Sequence, residues 1–197
     1  MKKLIILTLK PISNDKTRPE YDKIRNIIMN PTITKLLQTR LIYLYIFLFC
    51  VSLLAIAMYM EHVMMLEPCP LCMTQRFFFV LAGLTSLVAF IHNPQASGKL
   101  VYGFLAAAFA VAGGGFAIRQ IWLQHLPKDE VPACGPSVAY MFQEFPLTEA
   151  LATMFTGDGN CAEIAWQDPV IGMSIPQWSL VGFVALAGVC VWQALRK

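Results

Sequence analysis

Glu67-Pro68-Cys69-Pro70-Leu71-Cys72 lies in a short polar gap between two long apolar runs, residues 41–60 and 77–91. A membrane-crossing helix needs about 20 mostly apolar residues. Residues 41–60 meet that length without a single charge. Working outward, a second span is expected over 73–91, with Arg76 near its start. A third is expected over 100–122, with Arg119 and Gln120 near its end, and a fourth over 178–195. Gly113-Gly114-Gly115 would weaken an isolated helix, but small residues let helices approach closely in a bilayer. The reading is an all-α membrane protein, a four-transmembrane-helix bundle.

Composition supports it. Hydrophobic residues make up 57% of the 197 and charged residues 14%, against a charged share of about 25% in soluble domains. The charges are also unevenly placed. Lys2, Lys3, Lys10, Lys16, Arg18, Lys23, Arg25, Lys35 and Arg40 precede the first span; Lys99 sits between spans two and three; Arg196-Lys197 end the chain. Between spans three and four, Lys128 stands alone against Asp129, Glu130, Glu144, Glu149, Asp158, Glu163 and Asp168. The positive-inside rule then puts both termini in the cytoplasm. Loops at about 61–72 and 123–177 face outward, to the periplasm of a Gram-negative cell. Trp122 and Trp178 flank the long loop at belt height. Residues 1–40 read as a cytoplasmic N-terminal extension and 41–197 as the membrane domain. The apolar run after Met1-Lys2-Lys3 is too short for a secretion signal, and a natural start at Met29 would account for the extension. No repeat or nucleotide-binding glycine motif is present, and no nucleic-acid partner is expected.

Two cysteines separated by two residues can close a small disulfide ring. Reactivity requires the thiolate, which needs positive potential nearby. Cys72 is expected at or just before the start of the second span, where unpaired backbone N–H groups supply some. Arg76 follows one turn later on nearly the same face. It would hold a thiolate, or polarise an electron-accepting carbonyl, beside Cys72. The plainer alternative is a stapling disulfide with Arg76 snorkelling to the interface.

Cys134 and Cys161 lie in the long loop, each flanked by turn-forming residues, Gly135-Pro136 and Gly157 to Asn160. Paired loop cysteines suit an oxidising compartment. A disulfide between them would close roughly 28 residues and stabilise by roughly 3–4 kcal/mol. It would serve either as a staple or as an exchangeable bond open to a soluble thiolate. Residues 147–155 have helical apolar spacing, for a short helix on the membrane surface or facing solvent. Zinc is not expected, because the later pair lacks the short spacing of a zinc ribbon. Cys50 and Cys190 fall inside apolar spans and read as small apolar packing residues in lipid. Arg119 would stack on Trp122 or reach toward headgroups, and Glu61 and His62 would be interfacial.

These residues closely resemble the disulfide bond formation protein B (DsbB) family, quinone reductases that reoxidise the soluble dithiol oxidase DsbA. The resemblance covers about 41–195. It rests on His62-Val63-Met64-Met65-Leu66-Glu67-Pro68-Cys69-Pro70-Leu71-Cys72, on Gln75-Arg76, on residues 157–163 and on Ile175-Pro176-Gln177-Trp178. The family pattern has no counterpart to the extension before Met29. The resemblance implies an inner-membrane enzyme with a DsbA-like partner and a quinone, ubiquinone or menaquinone, as cofactor. It implies that the partner attacks Cys134, that Cys161 is the disulfide mate, and that electrons pass on to Cys69 and Cys72. Cys72 would engage the quinone with Arg76 in support. His125 would lie near the quinone, unless it is simply an interfacial histidine.

Two rivals remain open at this point. A vitamin K epoxide reductase-like enzyme also combines helices, CxxC and loop cysteines, but there the loop pair comes first in the chain. A membrane scaffold with structural disulfides would use the same cysteines without turnover.

Overall fold

The computed structural model describes residues 31–127 and 129–196. The expectations for the charged extension before Pro31, including a start at Met29, lie outside the described residues. Arg40 onward forms one compact unit, and the residues before it belong to another.

Four long helices dominate: α1 (Pro31–His62), α2 (Pro70–His92), α3 (Ala96–Gln124) and, at the end, α6 (Ile175–Leu195). Between α3 and α6 come α4 (Val138–Glu144), α5 (Leu147–Thr156) and a 3-10 turn at Gly159–Ala162. The stretches long and apolar enough to cross a membrane are Arg40–His62, Pro70–His92, Ser97–Gln124 and Ile175–Leu195. Four spans among the described residues make this a multi-pass membrane protein. The helices outrun the apolar segments at most ends, because lipid sets where apolarity must stop and not where backbone hydrogen bonding stops.

Local sequence explains the helix ends. Pro70 opens α2 after the N-cap Cys69, since a first-turn proline loses no needed N–H. Asn93 closes α2 in the left-handed region (φ 47), its N–H bonding Ala89 O, and Pro94 then bars continuation. At the start of α6, Ser174 N–H donates to Gln177 Oε1 at 2.8 Å. Ser174 Oγ donates to Gln124 Oε1 at 3.0 Å, which ties α6 to the end of α3.

α3 packs against both α2 and α6. The core holds Tyr43, Ile46, Cys50, Phe79, Ala106, Ala110, Phe183, Leu186 and Cys190. Phe79 and Phe183 stack with centroids 3.9 Å apart and planes 7° apart. Gly113 faces the Phe183 ring, and a Cβ there would also come within 2.9 Å of Phe78 Cβ. Such contact matters because lipid tails leave no hydrophobic drive between helices, and close packing must substitute. Outward-facing Ile91, Val111 and Val184 are 68%, 67% and 65% exposed, as lipid-facing residues should be. Cys50 and Cys190 are packing residues, but they sit inside the bundle rather than in lipid, at 1% and 0% exposure.

At the end of the bundle away from Cys69, Arg40 Nε donates to Phe90 O at 3.2 Å, with its guanidinium 4.6 Å from the Phe90 ring. Tyr43 Oη donates to Lys99 O at 3.2 Å. At the other end, α5 forms where the apolar spacing placed a helix and packs on the bundle. Thr74 Oγ1 donates to Met154 O at 2.8 Å, and Phe116 meets Phe155 at 5.5 Å. Arg119 is engaged at the end of α5 rather than on Trp122. Its Nε donates to Thr156 O at 2.7 Å, satisfying a carbonyl left open at the end of α5.

Candidate active site

Cys69 caps α2, and Cys72 is the third residue of that helix, within its first turn, at the start of the span as expected. Cys72 N–H points back to Cys69 Sγ at 3.4 Å, and the two sulfurs are 2.9 Å apart. Both are free thiols in this structure. Pro70 and the helical turn hold them face to face, at a spacing from which a disulfide closes with little movement.

Two buried amides surround the pair. Gln120 Nε2 donates to Cys69 Sγ at 3.2 Å and to Cys72 Sγ at 3.2 Å. Gln75 Nε2 donates to Gln120 Oε1 at 2.7 Å. Gln75 and Gln120 are each 3% exposed. Sequence reading noted Gln120 only as a polar residue near the end of a span. The signal was there, since a polar side chain inside a membrane helix is a functional candidate by default.

Cys161 sits in the 3-10 turn, fully buried at 0% exposure, packed with Cys69, Leu71 and Leu123. Its sulfur packs against the Cys69 thiol. The Cys161 sulfur there, together with Cys72 and burial, pushes the Cys69 pKa well above the ordinary thiol range. The neighbouring Cys69 thiol in turn, with help from backbone groups of Leu71 and Asp158, pulls the Cys161 pKa down. The Asp158 carboxylate works the other way, with Oδ1 accepting from Cys161 Sγ at 3.6 Å. The low-pKa sulfur therefore touches one member of the first pair, a contact between distant segments that sequence reading had not drawn.

Cys134 is exposed, in a segment laced to the Cys161 turn. Gly159 N–H donates to Ala133 O at 3.1 Å, and Asn160 Nδ2 donates to Gly135 O at 2.9 Å. A Cβ at Gly159 would come within 2.9 Å of both Cys134 N and Cys134 Sγ, so glycine is what lets the two segments meet. All four loop cysteines thus gather at one end of the bundle, with Cys134 outermost.

Below them opens a cleft of about 360 Å³, in the usual range for small-ligand sites. Its walls include Leu53, Leu54, Ala57, Phe79, Pro176 and Trp178, and its polar groups include Cys72, Gln75, Arg76 and Gln120. Apolar walls with a few convergent donors and a sulfur fit a flat, apolar ring bearing carbonyl oxygens. Arg76 lines this cleft but does not hydrogen-bond Cys72. Its Nη1 pairs with Glu61, and its Nη2 donates to Ala57 O at 3.3 Å. Glu61 is therefore a partner in the site's edge rather than a bare interfacial charge. His125 is apart from the cleft lining; its exposed ring is 2.7 Å from Ile121 O through Nδ1.

Comparison with known proteins agrees with this arrangement. The family model "Disulfide bond formation protein DsbB" matches residues 39–193. The chain is 53% identical to Disulfide bond formation protein B of Saccharophagus degradans, over 84% of this chain and 98% of that one. It is 48% identical to the protein of that name from Stutzerimonas stutzeri, over 83% and 99%. It is 44% identical to Disulfide bond formation protein B 1 of Pseudomonas aeruginosa, over 80% and 96%. No solved structure matches the chain significantly. Helical architecture, cysteine arrangement and full-length relatives agree, and the chain belongs to the DsbB family of membrane disulfide bond formation proteins.

Proposed function

We propose that this chain is an inner-membrane oxidoreductase that reoxidises a DsbA-like periplasmic dithiol oxidase and delivers the electrons to a membrane quinone. The observation that carries the reading is the packing of Cys161 against Cys69, while Cys72 lines an apolar cleft. The relay begins with Cys134–Cys161 and Cys69–Cys72 as disulfides. A partner thiolate attacks Cys134 and Cys161 leaves as a thiolate. Cys161 then attacks Cys69, and Cys72 leaves as a thiolate. The partner's second thiol attacks its own mixed disulfide, so the partner departs oxidised and Cys134 is freed. Cys134 attacks Cys161, restoring the loop disulfide and leaving Cys69 and Cys72 reduced. Two electrons have moved inward, and each exchange makes one S–S bond for the one it breaks.

A quinone supplies a two-electron, two-proton acceptor. Leu53, Leu54, Phe79 and Trp178 would hold its ring, and Arg76 supplies fixed positive charge toward which a carbonyl would turn. Acidic residues in the long loop and basic residues at the chain ends support a periplasmic site.

The test is anaerobic mixing of the purified protein with a reduced DsbA-type oxidase and a quinone, following quinone absorbance. Bleaching is expected, with Cys72→Ser abolishing it and a partner that lacks its second thiol trapping a mixed disulfide at Cys134. A parent protein that bleaches neither ubiquinone nor menaquinone refutes the reading, and the scaffold alternative then stands.

A further inference from the structure

We propose that the Gln120 amide is a catalytic residue, a donor that stabilises the Cys72 thiolate released when Cys69 is attacked, and that Gln75 is the positioning residue that aims it. The inference rests on the electron path described above. An attack on Cys69 breaks the Cys69–Cys72 bond and leaves the electron pair and negative charge on Cys72 Sγ. That charge appears on a half-buried sulfur in the wall of a mostly apolar cleft, where solvation by water is reduced. The Arg76 guanidinium is engaged with Glu61 and the Ala57 carbonyl. The Cys69 thiol also donates to Cys72 Sγ in the reduced protein, at 2.9 Å, but Cys69 loses that proton once it joins the new disulfide, which leaves Gln120 Nε2, at 3.2 Å, as the side-chain donor to Cys72 Sγ.

A primary amide can present either of two ends, with opposite effects. Its NH₂ stabilises a sulfur anion, whereas its carbonyl oxygen repels one. Gln120 Oε1 is also close to Cys72 Sγ, at 3.6 Å, so the site stabilises the thiolate only while the NH₂ end faces the sulfurs. Gln75 sets that choice. Its Nε2 donates to Gln120 Oε1 at 2.7 Å, and flipping Gln120 would put two NH₂ groups against each other. With both amides 3% exposed, no solvent compensates for a flip. The Gln120 NH₂ also spans both sulfurs, with 3.2 Å to Cys69 Sγ. It is therefore in place before the bond breaks and needs no rearrangement afterwards, the arrangement of a preorganised anion site. A hydrogen bond to an ionised acceptor is roughly twice as strong as a neutral one, so the donor favours the reduced, thiolate-bearing pair over the disulfide.

The test uses the full chain in detergent with Cys134 and Cys161 replaced by Ser, equilibrated over a range of dithiothreitol ratios, without quinone or partner. The readout is the equilibrium constant of the Cys69–Cys72 pair. Gln120→Met, close in volume and without a donor, is expected to shift it about tenfold toward the disulfide, about 30 mV for a two-electron couple. Gln75→Met, which removes no group touching sulfur, is expected to shift it in the same direction by a smaller factor. Adding Gln75→Met to Gln120→Met is expected to add nothing, since there is no amide left to aim. An unchanged equilibrium in Gln120→Met overturns the proposal, as does a higher quinone KM with that equilibrium intact, which would make Gln120 a quinone contact instead. If Gln120→Met fails to fold, Gln75→Met alone decides, and no shift in that variant overturns the proposal. A parent pair that never oxidises at any ratio would sink the electron path itself, an outcome distinct from a pair that oxidises normally but ignores both amides.

Discussion

Arg76 lies one helical turn beyond Cys72, yet its guanidinium turns to α1 and meets Glu61 and the Ala57 carbonyl. Helical spacing correctly put it on the cleft side of α2. Spacing could not foretell the Glu61 pair, which depends on how α1 crosses α2. The pair is partly solvated, with side chains 19% and 28% exposed, so its worth to stability is small and its use is to fix where the charge sits. Replacing Arg76 by Ala is expected to raise the apparent quinone KM about tenfold, the size of one interaction of about 1.4 kcal/mol. Glu61→Gln is expected to raise it less, because the charge remains but is no longer tethered. Steady-state titration with quinone measures both, and unchanged values would remove Arg76 from the site. Cys161 gives a second prediction at this scale. Its pKa is lowered, so its thiolate persists as pH falls below the ordinary thiol value of about 8.5. In the fully reduced protein, where Cys69 still carries its proton, the Cys161 thiolate is thus expected to persist below about pH 8.5 and to protonate only at lower pH. Asp158→Asn removes the opposing charge and is expected to move that midpoint lower still. Thiolate absorbance across pH in the reduced protein, differenced against Cys161→Ser, reads it directly, and a midpoint at the ordinary thiol value would contradict the assignment.

Among the elements, α3 shows what a sequence pattern conveys and what it withholds. Its apolar length announced a span, and its glycine triplet announced close packing. The triplet could not say which glycine packs, because that depends on which face meets α6. Gly113 lies under the Phe183 ring, whereas a Cβ at Gly115 would meet nothing within 4 Å. Gly113→Leu is expected to destabilise the bundle by about 1–3 kcal/mol through overpacking. Gly115→Ala is expected to be neutral or to stabilise by up to about 1 kcal/mol through helix propensity. Thermal unfolding in detergent separates them; equal effects would mean the α3–α6 contact is drawn wrongly. α5 was legible from its period. The seven-residue α4 (Val138–Glu144) was not, because so short a helix has little pattern of its own and depends on its neighbours.

For the whole molecule, the testable consequence is sidedness. Cys134 is exposed while Cys50 and Cys190 are buried in the bundle. After mild reduction of the loop disulfides, a membrane-impermeant maleimide applied to spheroplasts is expected to label Cys134 and to leave Cys50 and Cys190 unlabelled until the protein is denatured. Labelling of Cys134 only from the cytoplasmic face would reverse the proposed topology. Sequence by itself determined the membrane class, the four spans, the expected sidedness and the identity of the four loop cysteines. Those follow from apolar length, charge bias and residue type, which are properties of a chain read in one dimension. Tertiary structure alone decided that Cys161 meets Cys69, that Gln75 and Gln120 form the polar lining of the thiol pair, and that Arg76 is held by Glu61. Each of those is a contact between residues far apart in the chain, created by the crossing of helices and the folding back of a loop, and no local spacing encodes it.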